Sequence, residues 1–221
     1  MNEFCKKLQL FDTASISDAL DSLCINGGLQ GIVPRTMSKK ICGKAFTVKY
    51  GDVSEEERKI GRASDFIDEV SEGDVIILGN NGRYDCTVWG NILTTMAIMK
   101  KAAGTVIDGA CRDIEEINQK MYPLFSKSVY MKSGKGRTKK IDIQVPITVE
   151  NTYIEPGDYV LGDCNGVVIV PQNQIEIVLY RAGLIKRTEE KIMNAVKQGM
   201  RLEQARQKYH YHEPWKNMEE K

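Results

Sequence analysis

The run Thr105-Val-Ile-Asp-Gly-Ala-Cys-Arg-Asp-Ile-Glu-Glu116 decides how the chain is read. Its apolar opening, Thr105 to Ile107, predicts a buried strand that ends at Asp108-Gly109. Within a few residues of that end stand a guanidinium, Arg112, and three carboxylates, Asp113, Glu115 and Glu116. Sites in α/β proteins gather at the carboxyl ends of strands, so the same stretch points to an α/β fold and to a candidate site.

Upstream, Thr13 to Leu23 predicts a helix with Ile16, Ala19, Leu20 and Leu23 inward, and Ser15 with Asp18 as a capping box. Ala45–Tyr50 reads as a strand, 55–70 as a polar helix, and Glu72 to Gly79 as turn, strand, glycine. Asn80 to Asp85 reads as a loop, and Trp89 to Ala103 as a helix with Gly104 as a left-handed cap. A short helix over 113–121 follows the strand from Thr105. Strands are expected at 123–131, 139–148, 159–161 and 167–170, then helix from Asn173 to Tyr211 broken at Gly199. Glu155-Pro-Gly-Asp158 repeats the turn form of Glu72-Gly-Asp74, too short a likeness to argue duplication.

With 221 residues the chain can build one large core or two tightly packed lobes. Lys plus Arg number 31 against 30 Asp plus Glu, which gives no electrostatic case for a nucleic-acid partner. The basic cluster Lys132, Lys135, Arg137, Lys139 and Lys140 reads as a solvated loop. Six cysteines without a Cys-x2-Cys pair, with only His210 and His212 to assist, argue against a structural zinc site and suit a reduced, cytoplasmic protein with buried free thiols. No stretch is long and apolar enough for a membrane-spanning helix, and none at the start reads as a signal segment.

Two readings of Arg112-Asp113 stand side by side. Asp113 with Glu116 fits a helix capping box, and Arg112 a surface ion pair. Alternatively Asp113 offers Mg²⁺ or Mn²⁺ a hard oxygen ligand, while Arg112 faces a carboxylate and an oxygen that becomes negative during reaction. The helix start after Gly90 adds a third component: free N–H groups of Asn91, Ile92 and Leu93 can take a carboxylate without a basic side chain. An ordinary Asn91 cap explains the same residues. Asp108, at the strand end, either orients Arg112 or a bound water or is a plain turn residue. Cys111 reads as buried filler, and His210 and His212 lie too near the end to act as a base. Trp89 and Tyr84 wall a pocket or pack a core.

The chain resembles the RraA-like proteins, which include class II, metal-dependent 4-hydroxy-4-methyl-2-oxoglutarate aldolases. The likeness runs from Ser15-Ile-Ser-Asp-Ala-Leu-Asp21 and Gly43-Lys-Ala-Phe-Thr-Val48 through Gly73-Asp-Val-Ile76 and Trp89-Gly90. Its centre is Gly104-Thr-Val-Ile-Asp-Gly-Ala-Cys-Arg-Asp113 with Glu116. Val145-Pro146, Pro156-Gly-Asp158 and Gly162-Asp-Cys-Asn-Gly-Val-Val-Ile-Val-Pro171 complete it.

The resemblance implies a swivelling β/β/α-like domain over residues 1–212 with terminal helices, a loose charged tail at 213–221, and trimers or hexamers with sites between subunits. It implies Asp113 as the ligand to Mg²⁺ or Mn²⁺, with Asp108 and Glu116 supporting the metal's water shell. Arg112 would bind pyruvate and steady its enolate, and the amides of Asn91, Ile92 and Leu93 would take the carboxylate. Glu189, with Glu190 as fallback, would reach the site from a neighbouring subunit. The implied reaction is cleavage of 4-hydroxy-4-methyl-2-oxoglutarate or 4-carboxy-4-hydroxy-2-oxoadipate to pyruvate and an oxo-acid, with oxaloacetate decarboxylation. Asn91 departs from the Asp or Glu common at its position. The family also contains regulators that bind and inhibit a ribonuclease, which makes a non-catalytic regulator the alternative.

Overall fold

A computed structural model describes residues 2–37, 40–56 and 65–215. Its elements are α1 (Glu3–Leu8), α2 (Thr13–Asp21), β1 (Val33–Pro34), β2 (Ile41–Asp52), β3 (Val75–Thr87), α3 (Asn91–Met99), β4 (Gly104–Cys111) and α4 (Ile114–Gln119). There follow β5 (Leu124–Val129), β6 (Thr138–Ile143), β7 (Ile147–Val149), β8 (Thr152–Ile154), β9 (Tyr159–Asp163), β10 (Gly166–Val170), α5 (Ile175–Lys197) and α6 (Leu202–Lys208). The fold is α/β, as the sequence implied.

The main sheet runs β1-β5-β4-β3-β2-β9-β10, with β6 also on β2. Neighbours among β2, β3, β4 and β5 are parallel, whereas β9 and β6 pair antiparallel with β2. Segment 27–34 then bridges the two ends: Leu29 N–H donates to Val167 O at 3.0 Å, and Val33 pairs with Ser126 on β5. The sheet is thereby nearly closed, and few strand edges are left to attract other chains.

Near-closure explains why Val75-Ile-Ile-Leu78 is apolar at every position. Val75 and Ile77 point into the sheet's interior with Val106, Phe125 and Val160. Ile76 and Leu78 face outward onto α3 and α4 beside Trp89 and Ile117. A parallel strand covered on both faces shows this unbroken pattern rather than alternation. A third cluster joins α1, α2 and α5 to β9 and β10 through Leu8, Ile16, Leu20, Leu161 and Val178.

Several local expectations are corrected. The first helix is capped by Asp12, whose side chain accepts from Ser15 N–H at 2.7 Å, so Ser15 and Asp18 form no capping box. Asp12 lies three residues upstream of Ser15, directly before the helix. Residues 80–85 are not a loop but belong to β3. Asn81 and Gly82 adopt φ of 54° and 64°, and the β3–β4 register jumps from Gly79 to Arg83. The polar letters there mark a bulged strand.

Lys101 (φ 56°), not Gly104, takes the left-handed exit of α3. Gly104 opens β4, where a Cβ would lie 2.9 Å from Ile41 Cγ2. The strand expected at 139–148 splits into β6 and β7 around Gln144 (φ 50°) and Pro146. Helix α1 and strand β8 were not anticipated, and two cysteines, Cys24 and Cys164, are exposed. Of the helix expected at 55–70, residues 57–64 lie outside the described residues, and Ile67–Glu69 is a short 3-10 turn. Most of the expected tail, 216–221, also lies outside them. Among the described residues no helix is long and apolar enough to cross a membrane.

Hydrogen bonds from Ser15 hold the Asp12 carboxyl below the usual carboxylate range. A depressed folded-state pKa contributes stability above the unfolded value and loses it as pH falls through the folded one. Asp12→Ala should therefore cost about 1 kcal/mol at pH 7, typical of a lost N-cap. Urea denaturation should show the difference shrinking as pH drops below the carboxylate range. A constant difference at all pH values would remove the charge from the explanation.

Candidate active site

Because β3 and β4 are parallel neighbours, their carboxyl ends emerge side by side. The exits are tied together where Arg112 N–H donates to Trp89 O at 3.1 Å. Trp89 is buried, stacks on Tyr122 at 6.2 Å and donates through Nε1 to Thr94 Oγ1 at 2.8 Å. It serves as core and cavity wall together, whereas Tyr84 is exposed and lines no part of the cavity.

Asp113 sits at the N-cap of α4 with φ 62° and ψ 34°, yet its side chain makes no capping bond to α4. The capping-box reading with Glu116 is thereby overturned. Its Oδ2 instead accepts the N–H of Asn91 at 2.9 Å, across the gap to α3. The N-cap of α3 is Gly90, which has no side chain, so Asn91 is not a cap either. Asp113 supplies the missing cap from another element. Left-handed backbone is unusual for a residue with a Cβ, though Asp tolerates it better than most. A Cβ on Gly90 would come 2.5 Å from Asp113 Oδ2, so the glycine makes room for this contact. Arg112 Nε lies 3.7 Å from the same oxygen.

These groups line one cavity of about 390 Å³: Asn91, Ile92, Leu93, Arg112 and Asp113 on one side. Tyr50, Asp65, Thr138 and the segment Ser133–Lys135 close the other. That segment is held by Thr87 N–H to Lys132 O at 2.9 Å and by Thr138 Oγ1 to Gly51 O at 3.0 Å. Sequence reasoning missed this wall. Lys135 was set aside with the solvated basic cluster, and Asp65 carries no local signal. A larger cavity of about 800 Å³ lies along α6 and includes His210 and His212, but one short helix and its exit supply its whole lining. Convergence of several strand and helix ends favours the smaller cavity.

Other anticipated residues fall elsewhere. Asp108 is committed to a buried ion pair with Lys127 at 2.7 Å, and its Oδ2 accepts Gly82 N–H at 3.0 Å. Strand alternation puts it on the side of Val106 and Phe125, away from Ile107 and Cys111, and it does not line the cavity. Burial alone would depress the Lys127 pKa, but the Asp108 and Glu150 carboxylates outweigh it and raise it. Glu116 is exposed on α4, one turn beyond Asp113 and off the cavity lining. Glu189 lies half-buried on α5, where burial and then the Asp18 and Asp12 charges push its carboxyl pKa up. Within one chain it is not at the cavity. Burial raises the Cys111 thiol pKa, as expected of filler.

The chemistry of the donor set bears on a metal ion. Among the described residues no cluster of three or more His, Cys, Asp and Glu side chains forms the cage that zinc takes. Asp113 and Asp65 are carboxylates on the cavity wall. One or two hard oxygens, with water and substrate completing the shell, is the pattern Mg²⁺ and Mn²⁺ accept. The residues present fit such an ion.

The RraA-like family profile, described as Aldolase/RraA, matches residues 13–169. The chain belongs to that family. It is 40% identical over 210 residues to protein DlpA of Legionella pneumophila, covering 95% of this chain but only 34% of DlpA. The chain thus spans about a third of that relative. A protein of Halalkalibacterium halodurans, provisionally named 4-hydroxy-4-methyl-2-oxoglutarate aldolase, is 34% identical over 182 residues, covering 81% of this chain and 82% of that one. A crystal structure of an uncharacterized protein from Pseudomonas syringae pv. tomato superposes with a TM-score of 0.83 at 43% identity, covering 92% of this chain and 96% of that one.

If Asp113 caps α3, Asp113→Ala should destabilise the fold by about 1 kcal/mol in urea denaturation. Asp113→Asn keeps an acceptor and tolerates left-handed backbone, so it should lose clearly less. Equal losses for the two would mean the contact with Asn91 does not hold the helix start.

Proposed function

We propose that the chain is a divalent-metal-dependent lyase acting on a small 2-oxo acid. Its favoured reactions are cleavage of 4-hydroxy-4-methyl-2-oxoglutarate, or a related hydroxy-oxo-diacid, to pyruvate plus an oxo-acid, and decarboxylation of oxaloacetate. The observation that carries this reading is the meeting of Arg112, Asp113 and the α3 start in one cavity. Membership of a family with aldolase-named relatives supports it.

The residues divide the work by charge. A 2-oxo acid presents a carboxylate, and the N–H groups of Ile92 and Leu93 at the α3 start suit it. Asn91 N–H joins them once Asp113 releases it. Arg112 then faces the keto oxygen, where its planar fork meets the negative charge that develops as the bond to the departing carbon breaks. In aldol cleavage the C3–C4 electron pair moves toward C2 and its oxygen while the C4 hydroxyl loses its proton. In decarboxylation the bond to the departing carboxylate supplies the same pair, and no hydroxyl proton has to leave. Asp113, with Asp65 on the facing wall of the same cavity, would hold Mg²⁺ or Mn²⁺. When bound, that ion supplies Lewis-acid polarisation of a keto group.

A group to take the hydroxyl proton is the part a single chain leaves open. Glu189 of a neighbouring copy in a trimer or hexamer would supply it, and its raised pKa suits a base. Asn91 in place of an acid weakens water activation near the metal, which favours decarboxylation over cleavage.

With Mg²⁺ or Mn²⁺ the purified protein should release pyruvate from oxaloacetate faster than metal alone, followed by coupled lactate dehydrogenase. EDTA should silence it and Mn²⁺ restore it; full activity in EDTA would rule out the metal-dependent class. Arg112→Ala should lower kcat roughly 100-fold or more with the fold intact by circular dichroism, as loss of one charged donor at a developing oxyanion does. Unchanged turnover would dismiss Arg112 from the reaction.

A further inference from the structure

Two of the six cysteines meet inside the protein, and neither lines the cavity. Cys5 on α1 and Cys42 at the start of β2 are 2% and 4% exposed, in the cluster that joins α1, α2 and α5 to β9 and β10. The Cys42 thiol stands 3.5 Å from Cys5 O and hydrogen-bonds the Cys5 sulfur. Cys86 and Cys111 differ: each is buried, and burial raises its thiol pKa. Cys24 and Cys164 are exposed.

The two sulfurs that meet are not equivalent. Donation from Cys42 holds the Cys5 thiol below its ordinary range against the effect of burial, and the Lys44 ammonium adds to it. Lys44 is itself placed there over the Tyr159 ring, 5.6 Å from its centroid. Cys42 keeps its proton more firmly, because of its bond to Cys5 and because it is buried. A thiolate is the nucleophile in sulfur oxidation, and a neighbouring thiol resolves the product. The cover over the pair is thin. Only Cys5 and Leu8 of the six residues in α1 are buried, while Glu3, Lys6 and Lys7 face solvent. A helix that short opens at small cost, and opening it uncovers Cys5.

We propose that Cys5 and Cys42 are a thiol pair oxidised by hydrogen peroxide, and that their disulfide staples α1 to β2. The Cys5 thiolate attacks one oxygen of the peroxide, and the O–O bond breaks. Cys5 becomes a sulfenic acid, and the leaving hydroxide takes the former Cys5 proton to give water. The Cys42 sulfur then attacks the Cys5 sulfur. The S–O bond breaks, and the hydroxyl leaves with the Cys42 proton as a second water. Two thiols have lost two electrons and two protons, and the peroxide has taken up both. The new bond closes a long loop between α1 and β2 and denies α1 its local opening.

The test is exposure of the full chain to hydrogen peroxide, followed by tryptic digestion without reductant and mass spectrometry. Cleavage after lysine puts Cys5 in Met1–Lys6 and Cys42 in Ile41–Lys44. The expected product is these two peptides joined, lighter by two hydrogen atoms than their sum, and separated again by dithiothreitol. Hydrogen exchange at the Lys6 and Gln9 amides, which donate to Asn2 O and Cys5 O, should slow roughly tenfold on oxidation. Cys42→Ser should lose both the joined product and the slowing. Absence of the joined peptides, Cys5 driven instead to a sulfonic acid, or exchange unchanged after joining would each overturn the proposal. The joined peptides are sought in a chain that retains both thiols, so that result stands even where the serine variant fails to fold.

Discussion

The carboxylate of Asp113 on the backbone N–H of Asn91 is the contact on which the site's geometry depends. It fixes the exit of β4 against the start of α3, and it does so from a backbone conformation that most side chains avoid. Every neighbour accommodates it. Gly90 leaves space where a Cβ would collide, Trp89 O takes the Arg112 N–H, and Thr94 ties the buried indole to the first turn of α3. The same carboxylate would have to serve a metal ion. On the proposed reading, a substrate carboxylate and Asp113 would compete for one N–H, and the helix start would change its cap as the site fills.

That constraint exists only because β3 and β4 are parallel and adjacent. Parallel pairing requires a crossover, so each strand exit feeds a helix on the outer face, and both exits open at one edge. Residues far apart in sequence, from Tyr50 to Thr138, then surround a space that no single segment could enclose. Pairing within the near-closed sheet sets these exits side by side. Its interior is filled by Val75, Ile77, Val106 and Phe125, which leaves the chemistry to the rim.

Much of this was legible in the sequence, for physical reasons that can be named. Continuous apolar runs such as Val75–Leu78 announce strands covered on two faces, and Arg112-Asp113 after an expected strand end pointed to the residues that line the candidate cavity. Helix boundaries near Gly199 were legible because a left-handed exit (φ 94°) favours glycine. Where polar residues serve a strand, the signal inverts: Asn80–Asp85 looks like a loop because Asn81 and Gly82 supply the bulge. Asp108 looked like a support for Arg112 or a metal-bound water because the strand was expected to end there, whereas β4 runs on to Cys111. The partner of Asp108, Lys127, is on the next strand and invisible to local reading, and it claims that carboxylate for a buried ion pair. Lys135 was hidden for the opposite reason, since a lysine in a basic cluster looks like solvent-facing charge until the fold shows the cavity it lines.

On the proposed reading, Asp113, Arg112 and the α3 start act on one ligand and one ion. Crystals grown with Mn²⁺ and oxalate, a stable mimic of a 2-oxo acid's paired oxygens, test this through anomalous scattering from the manganese. The account predicts a manganese peak against the Asp113 carboxylate, with oxalate between it and Arg112 and the α3 amides freed from their internal cap. Manganese bound elsewhere, or oxalate absent from this cavity while Asp113 stays on Asn91, would contradict it.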